Sequence, residues 1–173
     1  MNTANKLTLL RIVLIPVFLI LLYCSFTGSG YCALGVFVIA SLTDFLDGHI
    51  ARSRNQVTTF GKFADPLADK MLVFAALIWF TAQGLFPVWA MVIVTAREFA
   101  VTGLRLVAAG EGRVIAAAKS GKVKTASTMV CIIVMFFPMP DVVYIVCTAL
   151  IVLTTVYSGI EYFVKNKDVI AFE

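Results

Sequence analysis

Six apolar stretches occupy almost the whole chain, at residues 7–26, 30–47, 65–83, 86–107, 123–139 and 141–164. The hydrocarbon core of a bilayer takes about 17–25 apolar residues of helix to cross, and these runs match that length. A soluble domain is roughly half apolar and a quarter charged; here 61% of residues are hydrophobic and 14% charged. The pattern predicts an all-α integral membrane protein with six transmembrane helices. The second and third runs are interrupted by aspartates, and interrupted spans line something polar rather than face lipid. A polar cavity is therefore expected among the helices.

Basic residues orient the chain. Lys6 and Arg11 open the first run, while Arg52, Arg54, Lys62 and Lys70 flank the connection after the second. Arg105, Arg113, Lys119, Lys122 and Lys124 surround the fourth connection, and Lys165 and Lys167 follow the last run. The alternate connections, TGSGY, AQGLFP and FPMPD, carry no Lys or Arg. The positive-inside rule then puts both termini, the aspartate loop and the mouth of the cavity on the cytoplasmic side of a multi-pass cell-membrane protein. The net charge of +4 reads as a face beside anionic lipid rather than as nucleic-acid binding.

The first run contains Arg11 and Pro16 and lacks a small-residue cleavage site, so it reads as a retained helix rather than a signal peptide. Cys24, Cys32, Cys131 and Cys147 have no CxxC spacing and read as small buried hydrophobes. There is no internal repeat and no stretch long enough for a separate soluble domain, so residues 1–173 are expected to form one transmembrane domain.

Against this background the segment LTDFLDGHIARSRNQVTTFGKFADPLADK, residues 42–70, stands out. Asp44 and Asp47 are three apart and Asp65 and Asp69 four apart, spacings that put each pair on one helical face. Pro66 suits a first helical turn, which predicts that the third helix starts beside Asp65. Four converging carboxylates in a low-dielectric setting repel one another and are pushed toward protonation unless cations intervene. All-oxygen ligation suits Mg²⁺, Mn²⁺ or Ca²⁺, and two such ions form a clamp on a phosphoryl group. The competing reading, caps and loop charges paired to Arg52, Arg54, Lys62 and Lys70, fits each Asp singly but not two same-face pairs.

Gly48, Ala51 and Gly61 leave room for a ligand to approach the backbone. Arg52 and Thr58 supply a guanidinium fork and a hydroxyl suited to phosphate oxygens. His49 reads as a loop residue at the lipid interface rather than a ligand. None of the defined positions of the aspartate pattern is a Ser or Cys that could act as a covalent nucleophile; Ser53 falls in the spacer that follows Arg52.

The pattern Asp44-x-x-Asp47-Gly48-x-x-Ala51-Arg52, then eight residues, then Gly61-x-x-x-Asp65-x-x-x-Asp69, resembles the signature of the CDP-alcohol phosphotransferase family. The resemblance implies a homodimer of six-helix subunits with two divalent ions, Mg²⁺ or Mn²⁺, on the four aspartates. It implies that CMP leaves a CDP-linked donor, that Asp69 takes the proton of the acceptor hydroxyl, and that Gly48, Arg52 and Thr58 contact the donor.

Two further stretches, AREFAVTGLR at 96–105 and GRVIAAAKSGKVKT at 112–125, resemble members of the family that join CDP-diacylglycerol to glycerol 3-phosphate. NKLTLLRIVLIP at 5–16 does too, with Ala4 in the region where a proline is common; the last two runs resemble them less and read as apolar filler. Arg97, eleven residues past the start of its run, should face the cavity or pair with Glu98 or an aspartate, since an unpaired guanidinium in a span is costly. Arg97, Arg105, Arg113, Lys119 and Lys122 form the candidate site for an anionic acceptor, with topology anchoring as the plainer role of such cations. Other acceptors within the family, such as inositol phosphate, serine or phosphatidylglycerol, would keep every aspartate. A divalent-cation transporter is the rival from another class, although its acidic residues should lie near mid-span in two repeated halves.

Overall fold

The computed structural model describes the backbone of residues 3–169 except 25, 55–58, 111, 114 and 117. It describes the side chains of residues 9–43, 67, 68 and 70–169, with the same exceptions. Among the described residues six helices form: α1 Thr3–Tyr23, α2 Ser29–Arg54, α3 Thr59–Ala82, α4 Val88–Gly110, α5 Lys119–Met135 and α6 Asp141–Lys165, followed by a 3-10 turn at Lys167–Val169. No strand occurs among the described residues. Each apolar stretch coincides over most of its length with one helix. By length and composition α6 is the one helix among the described residues that qualifies as a complete membrane span, with shorter apolar segments at Leu9–Tyr23, Ser29–Thr43 and Lys70–Ala82.

Two boundaries differ from expectation. Helix α2 continues through both aspartates to Arg54, so the charges interrupt the hydrophobicity but not the helix, and His49 lies on α2 rather than in a loop. Helix α3 begins at Thr59, which leaves Pro66 well inside it. A proline removes one N–H from the ladder and crowds the carbonyl a turn before it, but helices of apolar bundles tolerate this where neighbours satisfy the freed group. Pro16 inside α1 is a second instance.

The chain divides into two compact units, Met1–Trp79 and Phe80–Glu173. In the first, α1 packs on α2. Ile15, Phe18 and Leu22 line the buried stripe of α1 at helical spacing, opposite Ala33, Phe37 and Ala40 of α2. The Phe18 and Phe37 rings meet with centroids 5.9 Å apart.

In the second unit α6 packs against both α4 and α5. Its buried stripe is Cys147, Thr148, Ile151, Thr155, Ser158, Gly159 and Tyr162, mostly small or hydroxyl-bearing residues. Small residues let helices approach closely when no hydrophobic drive operates between them. The opposite faces of α4 and α6 expose Val88, Trp89, Val92, Phe99, Leu106, Ile145, Leu153, Ile160 and Val164. Helices apolar on their outer as well as their inner face suit a hydrocarbon surrounding. All four cysteines are free; Cys131 and Cys147 are buried as expected, whereas Cys32 is exposed and Cys24 half-buried.

Candidate active site

The first unit carries the acidic signature. Asp44 and Asp47 lie on one unbroken helix with Gly48, Ala51 and Arg52, and Gly61, Asp65 and Asp69 lie on another. The spacings of three and four are therefore spacings along helices, so each pair shares a face. The donor set, hard carboxylate oxygens and no thiolate, fits Mg²⁺ or Mn²⁺. The backbone fits the group to this extent; the side chains of these residues, and Thr58 altogether, lie outside the described residues.

A buried cation on α1 adds to this unit. Helices α1 and α2 are joined by a short turn and pack together. From the Phe18–Phe37 contact, seven residues, about two turns or 10 Å, lead back to Arg11 on α1 and forward to Asp44 on α2. The register sets Arg11, only 1% exposed, level with Asp44. As a sequence feature it looked like one more positive-inside anchor. Its place in the stripe with Ile15, Phe18 and Leu22 is the signal that marks it as interior.

The second unit carries the basic group. Arg97 Nη1 donates to Glu98 Oε1 at 2.8 Å, and Lys124 Nζ of α5 donates to the same oxygen at 2.7 Å. One carboxylate thus serves two cations at side chains that are 7–13% exposed. A buried charge persists when paired and hydrogen-bonded in this way. The Arg97 side chain lies against two glycines: a Cβ on Gly159 of α6 would come within 3.2 Å of Arg97 Cγ, and one on Gly121 of α5 within 3.8 Å of Nη2. These helices leave a slot for the arginine.

Arg105, two turns further along α4, is exposed, and its Nε donates to the Tyr162 hydroxyl of α6 at 2.7 Å. The guanidinium carbon is 5.3 Å from the Tyr162 ring centre, within range of a cation–π interaction. Helix α4 ends in a left-handed glycine: Gly112 has φ +72°, its N–H donates to Ala109 O at 3.1 Å, and Arg113 N–H donates to Ala108 O at 2.9 Å. This Schellman pairing needs φ > 0 where only glycine is unstrained. It fixes the backbone at Arg113, which is exposed, as are Lys119 and Lys122 at the start of α5.

The last two apolar runs are more than filler. Gly121, Lys124, Gly159 and Tyr162 come from α5 and α6 and make the contacts that place Arg97 and Arg105. Lys124, which looked like an anchor, is 6% exposed. A groove of about 460 Å³ between α4 and α6 has Arg97, Thr155 and Gly159 among its lining, but Ile93, Ile160, Phe163 and Val164 dominate it. Such walls suit hydrocarbon rather than a phosphate.

A family model described as CDP-alcohol phosphatidyltransferase matches residues 1–158, which include the acidic signature and the basic group. The chain belongs to this family. It is 43% identical to the CDP-diacylglycerol–glycerol-3-phosphate 3-phosphatidyltransferase of Bacillus subtilis, with 96% of each chain covered. It is 41% identical to a probable phosphatidylglycerophosphate synthase of Mycobacterium tuberculosis, over 93% of this chain and 79% of that one. The Escherichia coli K12 protein with the same name as the Bacillus relative is 37% identical over 76% of this chain and 74% of its own. Membership of a transferase family sets the cation-transporter reading aside.

Proposed function

We infer that this chain transfers the phosphatidyl group from CDP-diacylglycerol to glycerol 3-phosphate, giving phosphatidylglycerophosphate and CMP in phospholipid biosynthesis. The observation that carries the reading is the 43% identity, end to end, with a Bacillus relative named for this reaction. Residues 1–173 act as one catalytic domain of six membrane spans around a cavity open to the cytoplasm, with both termini on that side, and work as a homodimer. The distribution of Lys and Arg supports the orientation, and the family resemblance supports the pairing of subunits.

Asp44, Asp47, Asp65 and Asp69 hold two divalent cations, Mg²⁺ or Mn²⁺, which when bound neutralise the pyrophosphate. Gly48, Ala51 and Gly61 give the nucleotide close access to the helix backbone, and Arg52 and Thr58 bind phosphate oxygens of the donor. Arg105, Arg113, Lys119 and Lys122 attract and seat the acceptor's phosphate, with Arg97 supporting them from within α4. Asp69 takes the proton of the acceptor's primary hydroxyl. That oxygen bonds to the β-phosphorus as the bond from this phosphorus to the bridging oxygen breaks, and CMP leaves with the bridging oxygen. Positioning and charge neutralisation supply most of the rate.

Labelled glycerol 3-phosphate supplied with CDP-diacylglycerol tests the reading. Label is expected in the lipid phase mole for mole with CMP, lost on chelation and restored by Mg²⁺ or Mn²⁺. Lipid labelling without CMP, or full activity in a preparation shown by elemental analysis to be metal-free, overturns it.

A further inference from the structure

Tyr162 belongs to no motif in the sequence, yet it is 2% exposed and sits in a cluster with Val101 and Leu104 of α4. Ile115 and Ala118, from the connection that carries Arg113, pack on the same cluster, as do Phe163 and Val169. The backbone at Tyr162 is tied as well, since Asn166 Nδ2 donates to its carbonyl at 2.7 Å. A rigid, buried ring therefore ends in one hydroxyl, and that hydroxyl accepts the Nε–H of exposed Arg105 at 2.7 Å. An arginine has five N–H donors in a planar fork. Only Nε is engaged among the described residues, which leaves the two terminal nitrogens, the pair that binds a phosphate bidentately.

We propose that Tyr162 is a positioning residue for acceptor binding, holding the Arg105 guanidinium so that its terminal nitrogens are oriented for the acceptor's phosphate. A free arginine side chain loses rotamer freedom when it binds; the Tyr162 hydrogen bond removes much of that freedom beforehand. Ile115 and Ala118 of the connection bearing Arg113 pack on the same cluster, so the chain beside Arg113 rests on it too. The inference rests on Arg105 being an acceptor ligand, and its test separates the two.

Steady-state kinetics of the purified full chain, with each substrate varied, are compared for wild type, Tyr162→Phe, Arg105→Ala and the double variant. Phenylalanine keeps the ring and the cluster, so the fold survives while the hydroxyl is lost. Tyr162→Phe is expected to raise the acceptor KM about 3- to 10-fold, the scale of one ordinary hydrogen bond, because the hydroxyl orients Arg105 without touching the acceptor. It should leave the donor KM and the melting temperature unchanged. Arg105→Ala should raise the acceptor KM by roughly 10- to 100-fold, and the double variant should be no worse, because the hydroxyl acts only through Arg105. If Arg105→Ala shows its effect and Tyr162→Phe is silent, the positioning role is overturned while the acceptor site stands. Equal damage by Tyr162→Phe to donor and acceptor terms, or full additivity in the double variant, also overturns it. An unchanged acceptor KM in Arg105→Ala removes the acceptor site, and the role of Tyr162 with it.

Discussion

Asp69 and Arg105 carry opposite duties at opposite ends of the proposed chemistry, and only one of them was readable from its neighbours. Asp69 closes a signature of fixed spacing, and carboxylates spaced three and four apart mean the same thing on any helix. Asp69→Asn keeps an oxygen for a metal but cannot accept the hydroxyl proton. Its kcat is expected to fall by a factor of about 10² to 10⁴, with donor binding still measurable by equilibrium titration. Turnover within a few-fold of wild type would take the base role away from Asp69. Arg105 was legible as a cation in a basic region, but its partner was not. Tyr162 lies 57 residues away, and a tyrosine near the end of an apolar run reads as an interface residue until the helices are packed. The same holds for Arg11, whose burial depends on which face α1 turns to α2.

At the scale of elements, the six helices were legible because apolar runs of membrane length have few alternatives. The start of α3 was not: Pro66 is a strong signal for a first turn, and it outweighed the short helical spacing of Val57, Phe60, Phe63 and Ala64 before Asp65. The glycines of α5 and α6 were equally silent, since a glycine in an apolar run does not say what lies over it. Packing gives Gly159 a specific task, because its missing side chain admits Arg97. Gly159→Val should force the arginine aside and lower stability by about 1–3 kcal/mol through overpacking. Gly103→Ala is the control: nothing lies within 4 Å of its would-be Cβ, and alanine in a helix interior should be neutral or stabilising by up to about 1 kcal/mol. Thermal unfolding in detergent checks both. Equal melting temperatures for Gly159→Val and wild type would show that Arg97 does not need the slot.

Across the whole molecule the acidic signature and the basic group fall in different units, residues 1–79 and 80–173, and one family model extends over both. This division suits a reaction with two anionic substrates. In the proposed mechanism, cations bound on carboxylates hold the donor's pyrophosphate, while direct Arg and Lys contacts take the acceptor's phosphate. The acceptor is thus the part of the account that depends on the second unit, and a competition assay tests it most directly. Glycerol 3-phosphate, inositol phosphate, serine and phosphatidylglycerol are offered together at equal concentration, with CDP-diacylglycerol and Mg²⁺ or Mn²⁺, and the product lipids are identified by mass spectrometry. Phosphatidylglycerophosphate should account for nearly all of the product, in step with CMP release. A different phospholipid as the main product would contradict the assignment of the acceptor while leaving the family chemistry intact.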